Sequence, residues 1–210
     1  MMAFVDSDVV LNPAWMRLSP NQPSLTPELL ARVGKGDAQA FIQCYEQSSS
    51  VLFTLALRIL NNRDDASELL QDVYIEAWRK AGSFDATRGS PMGWLITLTR
   101  SRAIDRLRAS ASRGRNVTDS IEETPADDLR SALPDPFETH ALEELRMLVV
   151  DAFNDLPAAQ QEAIELAFYG GLTHAEIAAK LDKPVGTVKT RIKLGMNKLR
   201  YALRPCWEAK

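Results

Sequence analysis

Leu172-Thr173-His174-Ala175-Glu176-Ile177-Ala178-Ala179-Lys180-Leu181, continued through Asp182-Lys183-Pro184-Val185-Gly186 into Thr187-Val188-Lys189-Thr190-Arg191-Ile192-Lys193, reads as two helices joined by a short turn. Thr173 and Glu176 stand at N-cap and N3, so the hydroxyl can accept from the Glu176 amide while the carboxylate reaches back to the Thr173 amide. The first helix therefore starts at this threonine. Ile177, Ala178 and Leu181 give it a short apolar face, and the two alanines are small enough for a second helix to cross close over it. Pro184, whose fixed φ suits a first turn, is expected to open that second helix. Val188, Ile192, Gly195 and Leu199 recur at i, i+4, i+7 and i+11 and predict one buried stripe, with Lys189, Thr190 and Lys193 pointing elsewhere. From Lys183 to Arg204 there are seven cations and no carboxylate. A basic helix alone is commonly only a solvated face. Behind a capped helix and a short turn it has the arrangement that sets a recognition helix in a major groove.

Over 210 residues the formal net charge is −3, which by itself argues against a nucleic-acid partner. The average conceals a segregation. Arg88 to Arg115 carries seven arginines against one aspartate, and Asn116 to Glu138 carries seven carboxylates against Arg130. Two basic blocks separated by an acidic one suggest two DNA-facing surfaces joined by a tether that avoids DNA. The two cysteines, Cys44 and Cys206, are in no ligand-like spacing, so neither a disulfide framework nor a thiolate metal site is expected. The N-terminus carries Asp6 and Asp8 without a cation, unlike a secretory signal. No apolar run approaches the roughly twenty residues that span a bilayer. These features predict a soluble, cytoplasmic protein without cofactor or metal.

No stretch alternates with period two for long enough to propose a sheet, and the expected class is all-α. Residues 1–25 contain Pro13, Pro20 and Pro23 and read as an irregular tail. Thr26-Pro27-Glu28 caps a short helix ended by Gly34 and Gly36, and Asp37 caps the next. Helices are expected over about 37–47, 50–61, 64–80 and 91–108, forming one small domain over 26–109. Residues 110–136 hold Ser, Arg, Gly, Asp, Glu and three prolines with few large apolar residues, a composition that predicts a flexible linker. A second domain is expected over 137–204, with Leu142, Leu145, Val149 and Phe153 as one stripe, a break at Leu156-Pro157, a helix over 158–169 and a stop at Gly170-Gly171. Residues 205–210 are left as a tail.

Residues 64–79 form the second signal. At about 100° per residue, Asp64, Glu68, Gln71 and Asp72 share one arc, while Ala66, Leu70, Val73 and Ala77 lie opposite. Ile75 falls in the middle of the acidic arc, as it would in a protein-binding surface. The third signal is Trp94 to Arg108. There Trp94, Leu98 and Ile104-Leu107 can pack inward while Arg100, Arg106 and Arg108 remain outside. Arginines with hydroxyls and a nearby aromatic suit single-stranded or distorted DNA, where bases stack and guanidinium groups neutralise phosphate.

In that order the blocks resemble the extracytoplasmic-function sigma factors of bacterial RNA polymerase, over about residues 26–204. The most specific stretches are Asp64-Asp65-Ala66 with Glu68 to Val73 and Ala77-Trp78; Trp94-Leu95 with Arg100 and Ala103 to Arg108; and Leu156-Pro157 with Gln160 and Gly171 to Ile192. The resemblance implies a domain matching sigma region 2 and another matching region 4. It implies docking on polymerase core, on the β′ coiled coil and the β subunit, with Asp64, Glu68, Gln71 and Asp72 on the docking face. It places a minus-10 contact within Thr87 to Arg108, at Trp94, Arg100, Arg106 and Arg108. Minus-35 readout falls to Lys189, Thr190, Arg191 and Lys193. Leu194 and Ser101 sit where the family often has Arg and Asn. An anti-sigma factor is implied as a further partner, beside promoter DNA.

Two rival readings explain less. A stand-alone helix-turn-helix regulator accounts for 156–204 and leaves both earlier blocks unexplained. An enzyme acting on DNA needs a nucleophile or metal cluster, yet His140 and His174 are isolated and no glycine-rich phosphate loop occurs.

Overall fold

The computed structural model describes residues 25–112 and 139–204, with backbone alone at 111–112 and 139–146. Among these residues there are eight α-helices and no strand, in two compact units. The expected tails and most of the expected linker lie outside the described residues.

In the first unit, the Thr26 hydroxyl accepts from the Leu29 amide at 3.1 Å and starts α1 (Pro27–Val33), which buries Leu29, Leu30 and Val33. Gly36, at φ +84°, lets the chain reverse. Asp37 then accepts from the amides of Gln39 and Ala40 at 3.0 and 3.1 Å and starts α2 (Ala38–Leu60). The expected interruption between residues 47 and 50 does not occur, and α2 is a single helix of 23 residues. The reason is the use made of Ser48. Its hydroxyl donates to the Cys44 carbonyl one turn back at 2.6 Å and meets the Tyr74 hydroxyl at 2.6 Å, so the side chain is satisfied within the helical conformation and against that tyrosine.

Asn61, in the left-handed region at φ 49°, ends α2, and Asn62 caps α3 (Arg63–Lys80) by accepting from the Asp65 amide at 2.9 Å. Two 3-10 turns, at 81–83 and 86–88, lead to α4 (Pro91–Ser112), which runs four residues beyond its expected end at 108 and three beyond the expected domain boundary at 109. Helix α2 packs against both α3 and α4, and these two pack on each other. Leu30, Leu52, Val73 and Leu95 are fully buried at the centre. Phe41 meets Tyr74 and Trp78 edge-on, with ring centroids 6.0 and 5.0 Å apart.

The second unit comprises α5 (Thr139–Asn154), α6 (Ala158–Phe168), α7 (His174–Leu181) and α8 (Val185–Ala202). The Gln161 side-chain amide donates to the carbonyls of Phe153 and Asn154 at 2.8 and 3.0 Å, closing the end of α5 and joining it to α6. Gly171, at φ +61°, turns the chain into the Thr173–Glu176 capping box, whose two bonds measure 2.7 and 3.3 Å. Asp182, left-handed at φ 50°, ends α7. Pro184 stands one residue before α8 with extended ψ 142°, so it precedes the helix rather than occupying its first turn as expected. Ile177, Ala178 and Val188 bury one another, with Leu166, Ala167, Leu172, Leu181 and Ile192 packed around them. A Cβ on Gly195 would stand 2.7 Å from Ile164 Cδ1 and 3.3 Å from Gln160 Cβ, so α6 and α8 cross closely there and a larger residue would have to displace the end of the Ile164 side chain.

Because Ser48 is the acceptor available to the buried Tyr74 hydroxyl, Ser48→Ala should destabilise the first unit by about 1–3 kcal/mol. Tyr74→Phe leaves the serine its bond to Cys44 and should cost less. In the double variant the costs should fall well short of additive, because the orphaned hydroxyl is gone. Urea unfolding followed by circular dichroism gives all three values.

Candidate functional site

The outer face of α3 is built by its inner one. Ala66, Leu69, Leu70, Val73, Tyr74 and Ala77 are buried, which turns Asp64, Glu68, Gln71 and Asp72 to solvent, all four exposed. Ile75 lies among them and is 50% exposed. The two acidic residues of the first turn and the two basic residues of the last complement the helix dipole.

At the edge of this face Glu76 binds α4. It accepts from Arg102 through both carboxylate oxygens, at 2.6 and 2.7 Å, and from Lys80 at 2.5 Å. Those bonds, Arg102 first and Lys80 second, hold its carboxyl at about 2. A second link lies one turn on. Arg106 donates to Asp65 at 3.1 Å and to Glu68, and its side chain is 26% exposed. The expectation that Arg106 stays outside is therefore corrected: it reaches across to α3 and engages a residue of the acidic face itself. Its partners lie 41 and 38 positions away, so no local spacing announces the pairing.

The other α4 expectations divide. Arg108 is exposed, whereas Arg100 is half-buried, and burial, with the charge of Arg108 second, lowers its proton affinity. Trp94 and Leu98, expected as inward anchors, are only half-buried; Leu95, Thr99 and Ala103 have no exposed surface and form the true anchor stripe. The stripe is shifted because α4 packs on α2 as well as α3. Trp94 instead lies beside Phe84, ring centroids 6.0 Å apart. Before α4, Asp85 accepts from both the amide and the hydroxyl of Thr87, at 2.9 and 2.7 Å, which fixes the loop.

On α8 the expected stripe holds: Val188 and Gly195 are buried, Ile192 and Leu199 half-buried. Lys189, Thr190 and Lys193 are exposed on the far side. Arg191 is half-buried and lines an open cleft with Ala158, Ala159, Glu162, Lys180, Leu181 and Lys183, so it stands to the side of the other three. Leu194 and Tyr201, 48% and 77% exposed, were not singled out as contacts by the spacing of cations. Among the described residues no group of three His, Cys, Asp or Glu is placed to hold a metal, and no helix is long and apolar enough to cross a membrane.

The family model for Sigma-70 region 2 matches residues 44–113, which include α3 and α4, and that for Sigma-70 region 4 matches residues 146–199, which include α6, α7 and most of α8. Over 83% of its length the chain is 34% identical to the ECF RNA polymerase sigma factor SigK of Mycobacterium sp. (strain KMS), covering 89% of that protein. The chain belongs to the ECF RNA polymerase sigma factors.

The corresponding protein of Mycobacterium tuberculosis (strain ATCC 25177 / H37Ra) is 33% identical over 88% of this chain and 96% of its own. Among solved structures, the chain is similar to Rhodobacter sphaeroides SigE, crystallised in complex with the anti-sigma ChrR, at 30% identity, 83% and 95% coverage and a TM-score of 0.41. The sigma factor is thus an alternative one, directing promoter-specific initiation by RNA polymerase, as its three sequence blocks imply.

The Arg102 and Lys80 bonds hold the Glu76 carboxyl at about 2, below its ordinary 4.5, so they stabilise the fold fully above the unfolded value and are lost as pH falls through the folded one. Glu76→Gln should destabilise the first unit of this sigma factor by about 1–2 kcal/mol at neutral pH. Unfolding in urea at a series of pH values should show the gap between wild type and variant closing between 4.5 and about 2.

Proposed function

We propose that the sigma factor docks on polymerase core through the outer face of α3, with Asp64, Glu68, Gln71 and Asp72 meeting cations of the β′ coiled coil around an apolar contact at Ile75. The observation that carries this is the exposed Ile75 inside an exposed acidic arc, backed by a fully packed inner stripe. The adjoining helix α4 engages the minus-10 element through Trp94, Arg100 and Arg108, with Arg106 held on α3 by Asp65 and Glu68, and α8 engages the minus-35 element through Lys189, Thr190, Arg191 and Lys193. The first domain, expected over 26–109, would extend to the end of α4 at 112, and the second, expected over 137–204, would be tethered to it by the chain between, with the β subunit as a further contact of polymerase core. The protein acts in the cytoplasm, without catalysis of its own, and an anti-sigma factor restrains it.

Reversing charge at two positions of the docking arc tests the first part. Glu68→Arg with Asp72→Arg should abolish co-purification with polymerase core while the helical circular-dichroism signal persists. Undiminished core binding would refute the assignment. For α8, Lys189→Ala and Lys193→Ala should each cost about 1–3 kcal/mol on the preferred minus-35 duplex and little on a scrambled one, whereas Arg200→Ala should weaken both alike. Fluorescence anisotropy of holoenzyme on the two duplexes separates these outcomes.

A further inference from the structure

The outward face of α8 is not uniformly basic. The buried stripe through Val188, Ile192, Gly195 and Leu199 leaves Thr190 opposite it, flanked by Lys193 on one side and Leu194 on the other. Gly186, Thr190 and Leu194 stand at i, i+4 and i+8 and form one row along the helix surface. A single exposed leucine is ordinary on a protein surface. This one is 48% exposed at the centre of the helix read as meeting DNA, beside two of the assigned contact residues, where resemblance would lead one to expect an arginine. The rest of the row has a matching character. A Cβ on Gly186 would meet nothing within 4 Å, so DNA can approach the backbone there. The Thr190 hydroxyl donates to the Gly186 carbonyl at 2.8 Å, which uses its hydrogen and leaves a methyl and lone pairs for a ligand.

We propose that Leu194 is a specificity-determining residue that reads the 5-methyl group of a thymine in the major groove of the minus-35 element. The inference rests on α8 being the minus-35 recognition helix. Leucine has neither donor nor acceptor, so it cannot serve a phosphate or a base's hydrogen-bonding edge. The thymine methyl is the one apolar group among the four bases' major-groove patterns. Lys189 and Lys193 beside the row can donate to the hydrogen-bonding edges of neighbouring bases, so the leucine need contribute only the apolar part of the readout. An arginine at this position would select guanine through its O6 and N7; Leu194 turns that position towards thymine.

The test uses holoenzyme reconstituted from the full chain and the minus-35 duplex it selects from a randomised library. Each thymine of that duplex is replaced in turn by deoxyuridine, which removes the methyl and nothing else. For wild type, one replacement should weaken binding about 3- to 5-fold, the transfer of a single methyl from water. Leu194→Ala should bind the deoxyuridine duplex as wild type does and show no loss on going from thymine to deoxyuridine at that position. Library selection with Leu194→Arg should replace this thymine by guanine. Indifference of wild type to every methyl, or an undiminished methyl effect in Leu194→Ala, overturns the proposal while leaving α8 as the recognition helix. Failure of wild-type holoenzyme to select any minus-35 sequence overturns both.

Discussion

Ala40, Ala56, Ala66, Ala103 and Ala163 have no exposed surface, and Gly195 is buried against Ile164. Small side chains such as these let packed helices approach one another closely. In the first unit this close approach lets α2 lie against α3 and α4 at once, and in the second it lets α6 cross α8. Everything exposed depends on it. Once Ala66, Val73 and Ala77 face inward, the 3.6-residue period fixes which side of α3 carries Asp64, Glu68 and Asp72. Once Val188 and Gly195 are seated, the same period turns Lys189, Thr190 and Lys193 to solvent. The exposed faces of α3 and α8 are by-products of the residues packed behind them.

Side-chain caps fix where α1, α2, α3 and α7 begin, and polar groups at crossings fix how helices sit on each other. Ser48 and Tyr74 join α2 to α3 by a buried hydrogen bond, while Glu76 with Arg102, and Asp65 and Glu68 with Arg106, join α3 to α4 at the rim. The two kinds of link differ in consequence. Burial raises the Tyr74 hydroxyl, and it pushes the Cys44 thiol up to about 11, so neither ionises near neutrality. The rim pairs are partly hydrated, and each contributes modestly. Their effect is orientation, since Arg102 binds Glu76 through two parallel bonds.

Much of this was legible in the sequence because it is local. Thr26, Asp37 and the Thr173–Glu176 box announced helix starts through spacings of two or three residues, and all three are satisfied as read. The inner stripes of α3 and α8 followed from periodicity alone. What escaped reading is non-local. A break was expected between 47 and 50, whereas Ser48 lies within one helix and bonds Tyr74, far along the chain. Trp94 and Leu98 were expected inside because size argues for burial, yet α4 touches two neighbours and its buried stripe centres on Leu95, Thr99 and Ala103. Pro184 falls one residue short of α8 because its own ψ of 142° is extended rather than helical.

The charge pattern shows how an electrostatic argument from sequence changes in three dimensions. The block from Arg88 to Arg115 carries seven arginines, and a sum over sequence treats them as one basic surface. In the fold, Arg102 and Arg106 reach carboxylates of α3, and Arg100 is half-buried. The field offered by α4 therefore comes from a subset of the block and is shaped by the acidic helix beside it. Glu68 belongs to both surfaces, as a member of the exposed arc and as a partner of Arg106. Whatever meets the arc of α3 also meets a carboxylate whose bond helps hold α4. The acidic and basic faces of this unit are thus one connected electrostatic system rather than two independent patches.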